Sequence, residues 1–283
     1  MTELISSAAN PLVKRVRALA DRKHRRRESA FVVHGIQPAW QAVEAGADIE
    51  VLLVAPELLR HRGAVDMVDA QEAAGVRVAR LTGELFGRIS DRDEPAGLAA
   101  IVRASPARVG ELAVPEGALF VALHEPGNPG NIGTIIRTAS AAGATAVILI
   151  GPSADPYDPV AVKASMGALF SVPVAVAESG AEFLAWAAAA GVTVAATSGG
   201  AAMSCWQAPW QLPLALLFGS EGTGLPADLL ASAGLQVTIP MTGTAESLNL
   251  AVAAGVLLYE VRRQTGLPGA PDCPQKPRGR PQT

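Results

Sequence analysis

"NPGNIGTIIRTASAAGA" (128–144) lies between two apolar runs, "ALFVAL" (118–123) and "AVILIG" (146–151). Short apolar runs separated by a helical stretch predict strand, loop, helix, strand, the unit from which parallel sheets are built. Within 131–143, Ile132, Ile135, Ile136, Ala139 and Gly143 recur at helical spacing, so that face should cover the sheet. Arg137 and Thr138 fall on the opposite side. A helical arginine is most often a solvated surface residue. The polar Asn128 and Asn131 cluster near the same end of the helix, and with the glycines they make Arg137 a candidate for chemistry.

The alternation continues downstream. Strand-like runs are read at 172–177, 192–197, 214–219 and 235–240, with helices near 158–169, 181–190, after Pro226, and at 246–263. Upstream, runs at 30–35, 49–55, 76–81 and 97–103 alternate with helices at 37–46 and 63–74, a second and smaller α/β unit. Residues 10–27, "NPLVKRVRALADRKHRRR", read as one helix with Asn10 as cap and Pro11 at its first position. The layout predicted is an N-terminal domain at 1–104, a Pro- and Gly-bearing linker at 105–117, a parallel-sheet domain at 118–266, and a disordered Pro-rich basic tail at 267–283.

The 283 residues are 49% hydrophobic and 17% charged, enough apolar material for two cores. The net charge of −3 hides an asymmetry: residues 1–30 carry Lys14, Arg15, Arg17, Arg22, Lys23, Arg25, Arg26 and Arg27 against Glu3, Asp21 and Glu28. Such a run is often only a solvated helix face, but on an otherwise acidic chain it suggests a phosphate-contacting surface. Two cysteines, Cys205 and Cys273, allow neither a disulfide framework nor a four-cysteine zinc site. The first residues lack the apolar core of a signal peptide, and no apolar run reaches the ~18–20 residues of a membrane span. A soluble, cytoplasmic protein is expected, with no membrane partner.

Three segments follow one plan of apolar strand, Gly-rich polar loop and helix: 124–139, 216–226 and 239–255. Loops beyond the carboxyl ends of parallel strands are where such sheets bind ligands. Taken singly, each could be a mere turn. Neither glycine pattern matches the dinucleotide fingerprint, and no phosphate-loop lysine is present, which argues against a Rossmann oxidoreductase. Glu221 follows an apolar run and a glycine turn. Ser247 and Asn249 stand at the start of a helix so apolar and Ala/Gly-rich that it suggests a subunit interface; the simpler reading is helix capping by Thr244 and Ser247.

Together, "NPGNIGTIIRTA", "LLFGSEGTGL" and "IPM…ESLNLAVA" resemble the three ordered motifs of the SpoU (TrmH-type, SPOUT superfamily) RNA ribose 2′-O-methyltransferases. The stretches 10–35 and 90–102 resemble the substrate-binding domain that often precedes this catalytic domain, one similar to a small ribosomal protein. His34-Gly35 stands where that domain usually has Glu-Gly. The resemblance implies a trefoil-knotted α/β catalytic domain, a homodimer formed through it, S-adenosylmethionine as methyl donor, and RNA as substrate. Ribosomal RNA, 23S in particular, is the expected substrate and transfer RNA the alternative. The layout is most similar to the actinomycete ribosomal RNA methyltransferases that confer antibiotic resistance. A non-catalytic RNA-binding protein is the rival reading, against which the intact polar motif residues argue.

By motif position, the resemblance assigns Asn128, Arg137, Glu221, Ser247 and Asn249 to the catalytic set. Thr197, Gly219, Ile239, Met241 and Leu248 would surround the adenosylmethionine. Lys14, Arg15, Arg22, Lys23, Arg25, Arg26 and Arg27 would contact RNA. Arg137 is either the general base, unusual for a group with a pKa above ~12, or a bidentate phosphate grip that polarises the hydroxyl.

Overall fold

A computed structural model of the protein describes residues 4–90 and 94–266; the tail at 267–283 and three residues of the 90–102 stretch lie outside the described residues. The N-terminal unit runs α1 (Pro11–Ala18), α2 (Arg22–Glu28), β1 (Ala30–His34), α3 (Ile36–Glu44), β2 (Ile49–Val54), α4 (Arg62–Ala73), β3 (Arg77–Arg80), α5 (Gly83–Gly87) and β4 (Leu98–Arg103). Its four-stranded sheet has the order β1-β4-β2-β3, antiparallel except between β2 and β3. Leu12, Val13, Val16, Leu85 and Phe86 cover one face, with Val32, Leu53 and Ile101 beneath them. Ala39, Ala64 and Val68 belong to the core on the other face, with Phe31, Val33 and Leu52.

The basic stretch is two helices rather than one. Asp21 caps α2 by accepting the Lys23 N–H at 2.7 Å, while Asn10 caps α1 through the Leu12 N–H at 2.9 Å. Between them the Leu19 and Ala20 carbonyls accept from Arg25 Nη1 at 3.0 and 2.7 Å. An aspartate that can satisfy backbone N–H groups outside a helix, and an arginine that takes up the carbonyls, make a corner where periodicity alone reads continuity.

The second unit follows β5 (Ala107–Arg108) with β6 (Leu119–His124), α6 (Pro129–Ala141), β7 (Ala146–Ile150), α7 (Pro159–Ser165), β8 (Val174–Ala177), α8 (Gly180–Ala189), β9 (Thr193–Thr197), β10 (Met203–Ser204), β11 (Leu214–Phe218), α9 (Ala227–Ser232), β12 (Leu235–Thr238) and α10 (Leu250–Thr265). The eight strands form one sheet of order β10-β12-β9-β11-β6-β7-β8-β5 in which every pairing is parallel. Leu119, Val121 and Leu123 pack in the core shared with α6, α7 and α10, and the intervening Phe120 and Ala122 in the core beneath α8 and α9. Alternate residues of one strand thus serve two cores, and the strand reads as a continuous apolar run.

Two details depart from the sequence reading. The stretch 105–117 is not a free linker: Ala107 and Arg108 pair with Ala175 and Val176 at the sheet edge, and Val109 is buried. A two-residue strand is too short for periodicity to register. The last helix begins at Leu250, with Asn249 as its cap, so Ser247 precedes it in the loop.

The order of the last strands carries topological weight. β12 lies between β9 and β10, although β10 belongs to the excursion that leaves β9 and returns to β11. After β12 the chain continues into α10, which packs on α6. This arrangement is consistent with a trefoil knot, an exception to unthreaded connections.

The two units share one continuous core. Phe31 of β1 packs at a tilt against Tyr157, 4.7 Å between ring centroids, and stacks with Phe170 at 6.1 Å. Arg25 crosses the same boundary, as described below.

Candidate active site

Two of the catalytic candidates, Asn128 and Asn249, are set by helix caps. The Asn128 side chain accepts the Gly130 and Asn131 N–H groups at 2.8 and 3.2 Å, which opens α6. Asn249 accepts the Ala251 and Val252 N–H groups at 2.9 and 3.4 Å and opens α10. Both satisfy donors that a helix start leaves without partners. The loop after β11 folds tightly on itself, for a Cβ added at Gly219 would stand 2.1 Å from the Gly224 carbonyl carbon. No larger residue fits there without moving the loop that presents Glu221.

Asn131 joins the three loops. Its Nδ2 donates to Glu221 Oε1 at 2.8 Å, its Oδ1 accepts from Asn249 Nδ2 at 3.1 Å, and Glu221 Oε2 accepts the Gly127 N–H at 3.2 Å. The direction of each bond follows from the ends. Ionised Glu221 can only accept, so the Asn131 amide must face it. The Asn131 oxygen then takes the Asn249 amide, whose own oxygen is used at the α10 cap. Burial raises the Glu221 pKa, but hydrogen bonds from Asn131 and from backbone N–H groups outweigh it and hold the carboxyl below its usual range.

Beside this network lies a cavity of about 860 Å³ at the carboxyl ends of β9, β11 and β12. Thr197, Gly219, Ile239, Met241 and Leu248, the five cofactor candidates, all line it. Glu221, Ser247 and Asn249 stand on the same wall, with Phe218, Val237 and Ala253 supplying apolar surface. Its described lining includes Glu221 and Glu246 but no lysine or arginine. Such a lining fits an adenosine carrying a positively charged sulfonium better than a nucleotide whose phosphates need cations or a helix N-terminus. The donor set therefore fits S-adenosylmethionine.

Asn128 and Arg137 are not on that wall. Asn128 instead caps α6, the helix that carries Asn131. Arg137 is exposed, about 9 Å further along α6 than Asn131 and about 120° around its axis. Next to it, Thr138 faces α10, where a Cβ at Gly255 would stand 3.6 Å from Thr138 Cγ2.

Of the RNA candidates, Lys14, Arg22, Lys23, Arg26 and Arg27 are exposed. Arg15 is held by Glu28 and Glu50 at 2.8 and 2.7 Å. Arg25 requires correction: it is 3% exposed and bonds Asp155 through Nε at 2.8 Å and Asp158 through Nη2 at 3.0 Å. With Nη1 on the Leu19 and Ala20 carbonyls, this guanidinium is spent on joining the two units and offers RNA no free face. Asp155 and Asp158 carried no sequence signal, because their partner is 130 residues away.

A parallel sheet with its last strand inserted next to an earlier excursion, and an acid-lined nucleoside cavity at its strand ends, defines an α/β enzyme for a cationic adenosine cofactor. Residues 118–259 match the SpoU rRNA Methylase family, and residues 10–100 match the MRM3-like substrate binding domain. The chain belongs to the SpoU rRNA methylase family. It is 32% identical to the 23S rRNA (uridine(2479)-2′-O)-methyltransferase of Streptomyces viridochromogenes, over 87% of each chain. It is 30% identical to the 23S rRNA (guanosine(2553)-2′-O)-methyltransferase of Bacillus subtilis, over 91% of this chain and 98% of the relative. Its fold is similar to the crystal structure of an AdoMet-bound rRNA methyltransferase from Sinorhizobium meliloti, with a TM-score of 0.86 at 36% identity, over 93% of this chain and 98% of the other.

Proposed function

We propose that the protein transfers a methyl group from S-adenosylmethionine to a ribose 2′-hydroxyl of 23S ribosomal RNA. The observation that carries this reading is the bond path Gly127–Glu221–Asn131–Asn249, which ties three strand-end loops beside a cavity whose described lining holds no lysine or arginine. The cofactor supplies an activated methyl on a cationic sulfur. That group would give its methyl to the ribose oxygen, the carbon–sulfur bonding pair remaining on sulfur, and the hydroxyl proton would pass to water. Ile239, Met241 and Leu248 would hold the adenosine on apolar surface, and the Glu221 carboxylate would favour a cationic group in the cavity. Much of the acceleration comes from alignment of oxygen, methyl and sulfur.

Arg137 holds the adjacent phosphate and polarises the hydroxyl, in keeping with a guanidinium that is exposed and has no ion pair among the described residues. A second copy of the chain on the exposed apolar residues of α10, Val252 and Tyr259, would form the homodimer and bring Arg137 beside a cavity. Position 137 off the wall of its own cavity supports that arrangement. Arg137→Ala should bind adenosylmethionine with unchanged affinity by calorimetry and lose at least ~100-fold in methyl transfer. Retained turnover would remove Arg137 from the mechanism.

A further inference from the structure

A second cavity, of about 440 Å³, lies between α2 and the loop that follows β7. Its walls include Ala104, Pro152, Ala154 and Tyr157, with Arg22 and Arg26 on the α2 side. Arg25 and Asp155, also on the wall, are bonded to each other, and the Glu178 carboxylate is held by Arg108 at 2.7 Å. Arg22 donates only to the Ser153 carbonyl, at 2.8 Å, and neither it nor Arg26 pairs with an acid among the described residues. The cavity thus has apolar, ring-bearing walls and two uncompensated guanidinium groups. Burial, then the nearby Asp155 charge, pushes the Tyr157 hydroxyl up to about 12, so it stays neutral beside an anion.

Its position links it to the active site. It opens at the carboxyl ends of β7 and β8, the edge of the sheet on which the cofactor cavity opens at β9, β11 and β12. β7 is two places from β11, about 10 Å at ordinary strand spacing. The two loops are also directly bonded: the Ala154 N–H donates to the Pro126 carbonyl at 2.8 Å, one residue before the Gly127 that binds Glu221.

We propose that this inter-unit cavity receives an unpaired nucleotide of the RNA substrate near the methylated one, its base against Pro152 and Tyr157 and its phosphate on Arg22 and Arg26. The proposal rests on the RNA methyltransferase reading. The chemistry that would recognise the base is apolar and stacking contact, tolerant of sequence, and the phosphate contacts are salt-dependent.

The test is binding of purified ribosomal RNA to the full chain by filter retention across a salt series, with adenosylmethionine binding measured by calorimetry on every variant. Ala154→Phe and Ala104→Phe fill the cavity from two walls and leave all charges in place. Each should weaken RNA binding roughly tenfold with an unchanged salt slope. The double variant Arg22→Ala, Arg26→Ala should weaken binding and make the slope shallower by about 1.4, the share of two phosphate contacts on a single strand. Thermal melting identifies a filled variant that has not folded, in which case the other decides. Wild-type RNA affinity in a folded filled variant would overturn the proposal, as would saturation of the cavity by uridine monophosphate alone at micromolar concentration. Loss of adenosylmethionine binding in the wild type, with RNA binding still sensitive to the fillers, would instead overturn the methyltransferase reading.

Discussion

Asn131 shows how a single amide can unite elements distant in sequence. It reaches Glu221, 90 residues downstream, and Asn249, 118 residues downstream, with one donor and one acceptor. The sequence placed it only in a polar cluster; its role depends on β6, β11 and β12 lying at one edge, which no local pattern states. Asn131→Ala would leave a carboxylate and an amide without their partner and should cost about 1–3 kcal/mol in stability together with most of the methyl transfer. Thermal unfolding and a single-turnover assay on the same preparation check both. Glu221 adds a pH signature. Its folded pKa lies below the unfolded one, so its contribution to stability is full above the usual carboxylate range and is lost as pH falls through the lowered folded value. Glu221→Gln should therefore flatten the acid limb of a stability–pH curve and leave the neutral-to-basic limb parallel to wild type.

The elements themselves were largely readable, because buried parallel strands are apolar throughout and their helices carry one apolar face. Strands at 30–34, 49–54, 119–124 and 214–218 stand where the runs put them. Boundaries failed where a side chain overrode periodicity. Asp21 and Arg25 split the basic helix, and Asn249 rather than Ser247 starts α10. Arg25 is the clearest case of a residue type misleading by its neighbours: the seven other lysines and arginines of residues 1–30 face solvent or surface acids, and among them it alone is buried, against Asp155 and Asp158. Arg25→Ala would strand two carboxylates at the inter-unit boundary and should destabilise the fold by about 3–5 kcal/mol. By contrast, neutralising Lys23, Arg26 and Arg27 should leave the melting temperature nearly unchanged while making RNA binding less salt-sensitive. Equal melting losses in the two variants would contradict this division of roles.

For the whole molecule, the shared core and the Arg25 bonds fix the N-terminal unit against the methyltransferase sheet, so RNA bound on α2, as proposed, would stand in a set relation to the cofactor cavity. Neither the insertion of β12 beside β10 nor the docking of 105–117 was visible in periodicity; both are long-range pairings of very short strands. The resemblance of three ordered motifs implied the sheet's topology where local patterns were silent. The exposed Val252 and Tyr259 on α10 give a second expectation at this level. Val252→Glu with Tyr259→Glu should convert a dimer to a monomer in sedimentation analysis and abolish transfer while the chain still melts cooperatively. A wild-type chain that sediments as a monomer would set the dimer aside.

The most direct measurement is transfer of radiolabelled methyl from S-adenosylmethionine to purified 23S ribosomal RNA, followed by alkaline hydrolysis. A ribose 2′-O-methyl group removes the hydroxyl that alkali needs, so the label should appear in alkali-resistant dinucleotides with the wild type and be absent with Arg137→Ala. Label recovered only in ordinary mononucleotides, or equal label with the variant, would contradict a guanidinium-assisted ribose methylation.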